Sequence, residues 1–440
     1  MLEQLEFTLV LDVLSPLHIG TGENDKLKDL RQGKDWNISS ESQESDVALI
    51  ARDNEGNPCI PSASLKGCLR NLIADKENSC QVLFGSIADH KNSDQDKTGQ
   101  AGALFLRLAR FNENGLKLEK NALSLYDPEK HSFIRTRTRI DGNTGTAKDK
   151  ALFNQEFVPQ GFRFKLCVVF DGSLKDAEKH LIPLLGRMAA DTGFSVGKNS
   201  KQGSGRLRLI AGETTVTHRT LSSKKTLGWN IKPETPDNQI AENLLLTCEG
   251  PYISLDPTRE GKKGDTEDSA NKGVVDQDNK PILLPSTLIG ALRARLSWLA
   301  QTTDAATEPD NPEHVLPDED SPDTLSPAQR LFGVTGWKSL VQIDRIKCIH
   351  GGVEDDITSV SLDPFTAGPL EGALFTTTVH IDVQFSVKLS LARRATFGAD
   401  NEKDQACFDT LLKDIKENGL MLGHGTTKGF GWFTVDEGKQ

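Results

Sequence analysis

The sequence predicts an α+β protein made of two tandem ferredoxin-like, RNA-recognition-motif-like domains, each interrupted by a long insertion between its middle strands. Three observations predict it. Three segments recur in fixed order: residues 60–70 return at 284–293, 150–153 at 372–375 and 197–206 at 423–432, with Leu65 matched to Leu288, Phe153 to Phe375 and Gly197 to Gly423, offsets of 223, 222 and 226. A repeat this long is a duplicated domain, not a solenoid unit. The length, 440 residues, suits two domains that each bury a core. Each half also runs strand, helix, strand, strand, helix, strand, the order that packs two helices on one face of an antiparallel sheet. The opposite face of such a sheet can meet RNA. The first domain is expected over 1–212, a linker over 213–239 and the second domain over 240–440.

The first half opens with an apolar run, 7–14, that ends at Ser15-Pro16. A polar segment follows to residue 46, then a short strand at 47–51 and turn chemistry at 53–58. Ser62 or Ser64 can cap a helix whose apolar face is Leu65, Leu69, Leu72 and Ile73. Residues 103–108 and 163–170 read as strands, the latter from its alternation. A second helix is expected over 175–190, bent or started at Pro183, which has no N–H to donate. Residues 206–210 close the half as a strand. The second half repeats this with strands at 244–248, 341–346, 379–391 and 431–435. Its helices are lined by Leu288, Leu292, Leu296 and Leu299, and by Phe408, Leu411, Leu412 and Ile415. The insertions fall at 127–159 and 350–378.

Composition narrows the function classes. No apolar run approaches the ~20 residues of a membrane span. The acidic opening, Met-Leu-Glu-Gln-Leu-Glu, is unlike a secretory signal. Seven scattered cysteines without a Cys-x-x-Cys pair suit free thiols in a reducing cytoplasm, and Cys59, Cys68, Cys80 and His90 are spaced too widely for zinc. No protein-held metal and no membrane partner are expected. A net charge of −11 argues against a nucleic-acid partner only until its distribution is read. Residues 304–323 hold eight acidic residues, four prolines and no Lys or Arg, within an insertion at about 303–325 that reads as a loosely held loop, removable without cost to folding. Elsewhere the sign reverses: 133–150 carries five basic residues against two acidic ones, and 187–208 five against one. Such patches decide where a phosphate backbone sits.

Two elements can carry chemistry. The glycine-rich segments 193–205 and 419–431 lie between the second helix and the last strand of each half, and glycine lets backbone N–H groups approach a phosphate. Neither contains a P-loop or a dinucleotide fingerprint. In the first insertion Arg135, Arg137 and Arg139 alternate, so on a strand they share one face, suited to phosphate contact or to a solvated edge. His18 has no counterpart in the second half, where Gly250-Pro251-Tyr252-Ile253 stands in its place, and no Ser-His-Asp triad has support.

Four motifs in fixed order resemble the RAMP superfamily: Pro16-Leu17-His18-Ile19-Gly20-Thr21-Gly22, Pro61-Ser62-Ala63-Ser64-Leu65-Lys66-Gly67, the stretch 139–147, and the closing glycine-rich loop. The run 362–375 is the same family stretch in the second half. Two such domains in one chain resemble double backbone subunits of type III CRISPR effector complexes of the III-D-like kind. The resemblance implies RAMP domains in which each insertion is a thumb-like hairpin that kinks a guide–target duplex. It implies CRISPR RNA, complementary target RNA and other type III subunits as partners. It also implies divalent-metal-dependent endoribonuclease activity, with Mg²⁺ or another divalent ion acting transiently. The family's cutting aspartate precedes the short strand that leads to the Ser-Leu-Lys-Gly helix, and here that is Asp46. In the second half the matching position is Ser269, and the neighbouring Asp268 is the expected carboxylate, with Asp265 and Glu267 as alternatives. RNA contacts are expected from Lys66, Arg70, Arg135, Arg137, Arg139, Lys198, Lys201, Arg206, Arg293 and Lys428; Arg293 matches Arg70, whereas Ile289 replaces Lys66. Two other readings stand beside this one. The first is a non-catalytic CRISPR RNA scaffold. The second is a precursor-processing endoribonuclease, against which the lack of a repeated histidine argues.

Overall fold

The computed structural model describes residues 3–30, 44–73, 75, 78–86, 99–115, 118, 123, 125–140, 147–198, 200, 203–234, 239–256, 271–276, 278–303, 310–311, 314–316, 324–392 and 401–438. The principal elements of the first half are β1 (Gln4–Val13), β2 (Gly20–Lys26), β3 (Asp46–Ile50), α1 (Ser62–Leu72), β4 (Leu104–Leu106), β5 (Ala109–Asn112), β6 (Ser132–Ile140), β7 (Ala147–Phe157), β8 (Arg163–Asp171), α2 (Ile182–Met188) and β9 (Arg206–Leu209). A hairpin, β10 (Thr215–Arg219) and β11 (Lys224–Leu227), comes next. The second half comprises β12 (Gln239–Tyr252), α3 (Pro285–Thr303), α4 (Pro327–Phe332), β13 (Val341–His350), β14 (Val353–Leu362), β15 (Pro369–Ala392), α5 (Asn401–Asn418) and β16 (Trp432–Glu437).

Each half is a curled antiparallel sheet with the ferredoxin-like strand order. In the first the order is β9-β1-β8-β5, and in the second β16-β12-β15-β13. β1 pairs β8 from Gln4↔Asp171 to Asp12↔Arg163, and β12 pairs β15 with a register shift between Cys248 and Pro251. Alternation selects the buried set. Leu5, Phe7, Leu9 and Leu11 of β1 and Phe164, Leu166, Val168 and Phe170 of β8 meet Leu65 and Leu69 of α1 and Leu184 and Leu185 of α2. The second core joins Leu244, Leu246, Phe385, Val387 and Phe433 to Leu288, Leu292 and Leu296 of α3 and Phe408, Leu411 and Ile415 of α5. Phe164, Phe385 and Phe408 are among the largest fully buried side chains, and a fully buried Phe stabilises by about 1.5–3 kcal/mol.

Several expectations are corrected. α1 begins at Ser62 with Pro61 in the N-cap position and no side-chain cap, so neither Ser62 nor Ser64 caps it. The second helix, by contrast, runs where expected, over 174–188: a turn at Leu174–Asp176 with a Ser173/Asp176 capping box, a π-turn at Ala177–Leu181, then α2. Pro183 falls at the start of α2, where a missing N–H is tolerated. The segment expected as a linker belongs largely to the first domain. β10 pairs β1 and β11, the Trp229 and Phe7 rings lie 5.8 Å apart, and Ile231 is buried. Short threonine-rich strands with one buried valine, Val216, carry too little periodicity to be read as a hairpin.

The acidic insertion is corrected too. Asp310 pairs with Arg293 at 2.6 Å, Leu316 joins the second core, and its N–H donates to Thr335 O at 2.9 Å. Deleting 305–322 is therefore expected to cost about 2 kcal/mol or more, because a leucine leaves the core and a half-buried arginine is left unpaired. Thermal unfolding measures this, and an unchanged midpoint would show that the segment contributes nothing to stability.

The halves also touch each other. A Cβ added at Gly203 would lie 3.1 Å from Pro285 Cβ, and Arg206 of β9 makes a buried ion pair with Asp344 of β13. Gln342 Nε2 donates to the same carboxylate at 2.8 Å.

Candidate nucleic-acid interface

The insertion of the first half forms a second sheet, in the order β2-β3-β7-β6. β6 and β7 are antiparallel, with Arg137 opposite Phe153 and Phe133 opposite Phe157. β3 runs parallel to β7, with Val47 beside Asn154. Side chains alternate between the two faces. Val47 and Ile134 pack together with Leu27 and Leu125 on one face. The other face carries Phe133, Phe157, Arg135, Arg137, Phe153 and, at the start of β3, Asp46. Strands spaced ~4.8 Å put the backbones of Asp46 and Arg137 about 10 Å apart, with Phe153 between them.

This face is basic and partly desolvated. The Arg135 guanidinium lies 5.1 Å from the Phe133 ring centroid and 5.8 Å from that of Phe157, and Arg137 lies 5.2 Å from Phe157. Burial pushes Arg135 down to about 9 and Arg137 to about 10; Asp256 of the second half opposes the shift at Arg135. Among the described residues Arg137 Nε is buried without a hydrogen-bond partner. A desolvated guanidinium with a spare donor gains most from an incoming anion. The short strand at Tyr126–Asp127 pairs β6 only at Ser132 and Phe133, so what sets Arg135 apart from the charge of a solvated edge is its burial, at 8% exposed. Arg139 is on β6, but its side chain lies outside the described residues.

His18 sits at the root of this sheet, buried, with Nδ1 hydrogen-bonded to Glu156 O at 2.8 Å. Burial lowers its pKa, and the charges of Lys198 and Arg137 add to the effect against the Glu156 bond. With Nδ1–H donating to that carbonyl, the neutral ring presents Nε2 as its acceptor.

The glycine-rich loop closes over His18. Lys198 N donates to His18 O at 3.2 Å, Gly205 N to Pro16 O at 2.9 Å, and Val196 N to Gly205 O at 2.8 Å. The second half repeats the set: His424 N donates to Ile253 O, Gly431 N to Pro251 O and Leu422 N to Gly431 O, each at 2.8 Å. Gly197 has φ +86° and an added Cβ would lie 2.2 Å from His18 O; Gly423 has φ +96° and would lie 2.5 Å from Ile253 O. These glycines therefore serve close backbone packing. The expectation that their loops aim N–H groups at phosphate is corrected for the donors just named, which are bonded to carbonyls of the chain.

The remaining candidates divide. Lys66 and Lys198 are exposed, and Arg70 is an exposed residue near the end of α1. Arg206 is 3% exposed and committed to Asp344, so its expected RNA contact is corrected to a domain contact. Arg293 is likewise held, by Asp310 and by Gly333 O at 2.8 Å. Lys428 Nζ stands 4.3 Å over the Phe375 ring, joining loop to hairpin in the second half. Asp46 is exposed and paired with Lys26 at 2.7 Å. Lys201, Asp265, Glu267 and Asp268 lie outside the described residues. The second hairpin face differs from the first. Register puts Ser359 opposite Phe375 and Ile357 opposite Thr377, where the first half has Arg137 and Arg135. Asn271 pairs with Thr377 as Ala48 does with Gln155, which repeats the 223-residue offset at that position; counted back along the sequence, Asp46 corresponds to Ser269, which lies outside the described residues. Asn154, Glu156 and Asp344 were not singled out by sequence; the alternation of β7 beyond Phe153 was the available signal for the first two.

Among the described residues no cluster of three or more His, Cys, Asp or Glu could hold a metal, and no helix is long and apolar enough to cross a membrane. Asp46 offers carboxylate oxygens alone, which fits an ion that takes its other ligands from water and phosphate rather than a resident one.

Two ferredoxin-like domains in tandem, each with a hairpin insertion and a glycine-rich loop seated at its root, define a class of RNA-binding protein. A family model of the RAMP superfamily matches residues 10–208 and 265–434, and the chain belongs to that superfamily. Membership places it among CRISPR-associated RNA-binding subunits. No curated protein matches the chain.

Proposed function

We propose that the chain is a CRISPR RNA-binding backbone subunit of a type III, III-D-like, effector complex that cuts guide-complementary target RNA. Its partners in this reading are CRISPR RNA, target RNA and the other subunits of the complex. The observation that carries the reading is the shared sheet face of Asp46, Phe153, Arg135 and Arg137. Phosphate held by the arginines, with a base against Phe153, brings a phosphodiester within range of the Asp46 carboxylate. The 2′-OH of the cut nucleotide attacks phosphorus and the P–O5′ bond breaks, leaving a cyclic phosphate and a 5′-OH. Arg137 stabilises charge on the non-bridging oxygens, and Asp46 orients the attacking group or takes its proton. A divalent ion held by Asp46 and the RNA would neutralise the same phosphate when bound.

The second half supports a weaker reading. Ile253, Ser359 and Ile357 stand where His18, Arg137 and Arg135 stand in the first, so its RNA contact rests on Lys428 and Phe375. It serves as a second cutting site through Asp268 or as scaffold. The reconstituted complex, given target RNA and Mg²⁺ with the cut positions mapped, separates these outcomes; no cut at all would leave only the scaffold reading.

The isolated chain is expected to bind single-stranded RNA in a salt-dependent way. Changing Arg135, Arg137 and Arg139 together to Ala is expected to flatten the log–log salt slope by about 2, at roughly 0.7 for each phosphate no longer neutralised. An unchanged slope in a folded variant removes the hairpin from the RNA path.

A further inference from the structure

Behind the arginine face runs a polar ladder across three strands. Thr136 Oγ1 donates to Asn154 Oδ1 at 2.5 Å. Asn154 Nδ2 donates to Ser45 Oγ at 2.6 Å and, at longer range, to Asp46 O at 3.4 Å. Asn154 is 3% exposed and Thr136 7%. The Thr136 and Ser45 hydroxyls can each donate or accept, so what selects this orientation of the amide is the Asp46 carbonyl, which only accepts and would otherwise face Oδ1. Two residues on, Glu156 holds the other end of β3. Its carboxylate accepts from Ile50 N at 3.0 Å, from Ser132 Oγ at 2.6 Å and from Arg52. β7 thus grips β3 through side chains at both ends, and the end gripped by Asn154 begins with Asp46. The side-chain contact of Asp46 itself, to Lys26, is exposed and screened by salt.

We propose that Asn154 is a positioning residue that fixes Asp46 over the arginine face. This rests on the reading of Asp46 as the carboxylate of the first cut. The arrangement is specific to the first half. Thr376 occupies the place of Asn154 and Thr358 that of Thr136, with their hydroxyls 3.2 Å apart in an exposed pair. A threonine hydroxyl has a shorter reach than an asparagine amide.

The test compares Asn154→Ala, Asn154→Asp and Asp46→Ala in the reconstituted complex, scoring each cut separately. Asn154→Ala is expected to slow the first cut about tenfold at saturating target, as removal of a buried hydrogen bond at a positioned group would. Target affinity and any second cut stay unchanged. Asn154→Asp keeps an acceptor for Thr136, and Ser45 can donate to it, so rate returns. Its added charge disfavours ionised Asp46 and moves the acid limb of the pH–rate profile upward. Wild-type cutting by Asn154→Ala while Asp46→Ala abolishes the first cut overturns the proposal and leaves the Asp46 reading intact. So does an equal loss at both cuts, or a loss of target affinity, which would mark a general structural role. Persistence of every cut in Asp46→Ala removes the parent reading itself. Should Asn154→Ala fail to assemble, Ser45→Ala removes the far acceptor and carries the same expectations and the same overturning results.

Discussion

Asp46→Ala is expected to abolish one target-RNA cut while guide and target stay bound. Affinity in this face belongs to the arginines and aromatic rings, and a carboxylate adds nothing to the hold on a polyanion. Its removal should therefore appear in rate and not in binding, a loss on the order of 100-fold or more at saturating target. The pair with Lys26 does not protect the site, because both side chains are exposed and can exchange partners. Asp268→Ala, and the double variant, extend the experiment to the second half. If Asp268→Ala cuts normally, Asp265 and Glu267 are next; if all three are silent, that half is scaffold. A complex that retains every cut with Asp46→Ala would leave the chain as scaffold throughout.

Asp344→Ala is expected to produce the largest loss of stability of any single change considered. The carboxylate is buried between the halves, and its removal leaves the Arg206 guanidinium desolvated and unpaired. Burial already pushes Arg206 below the ordinary arginine range, with Asp344 the counterweight. Breaking such a pair costs about 3–5 kcal/mol, whereas replacing both partners with apolar residues of similar size can be neutral. Denaturant unfolding should show a markedly lower midpoint for Asp344→Ala and a near-normal one for Arg206→Met with Asp344→Leu. A single variant within about 0.5 kcal/mol of the parent would mean that water reaches the pair and that burial is not what binds the halves.

Much of this was legible in the sequence. The repeat placed both glycine-rich loops, and they seat on Pro16–His18 and Pro251–Ile253 through the same backbone bonds. Leucine spacing placed α1, α3 and α5, and alternation put Arg135 and Arg137 over Phe157. What the sequence concealed was which surfaces cover which. Arg206 and Arg293 read as cations available to RNA, because nothing local announces that Asp344 and Asp310 will meet them from 138 and 17 residues away. Asp310 was hidden further by its setting among prolines and acids, the composition of a segment that packs on nothing. The ladder through Asn154 escaped because it exists only once three strands are side by side.

The hairpin that replaced the expected linker shortens the tether between the halves. Glu234 is still held to the first domain, its N–H donating to Gly186 O at 3.0 Å, and β12 begins at Gln239. Five peptide steps can span at most about 18 Å. Each half therefore meets the other at an effective concentration of millimolar order or above, whatever the amount of protein in solution. Loss of the Arg206–Asp344 pair would be felt as wobble between two domains that cannot diffuse apart, and dilution would not worsen it.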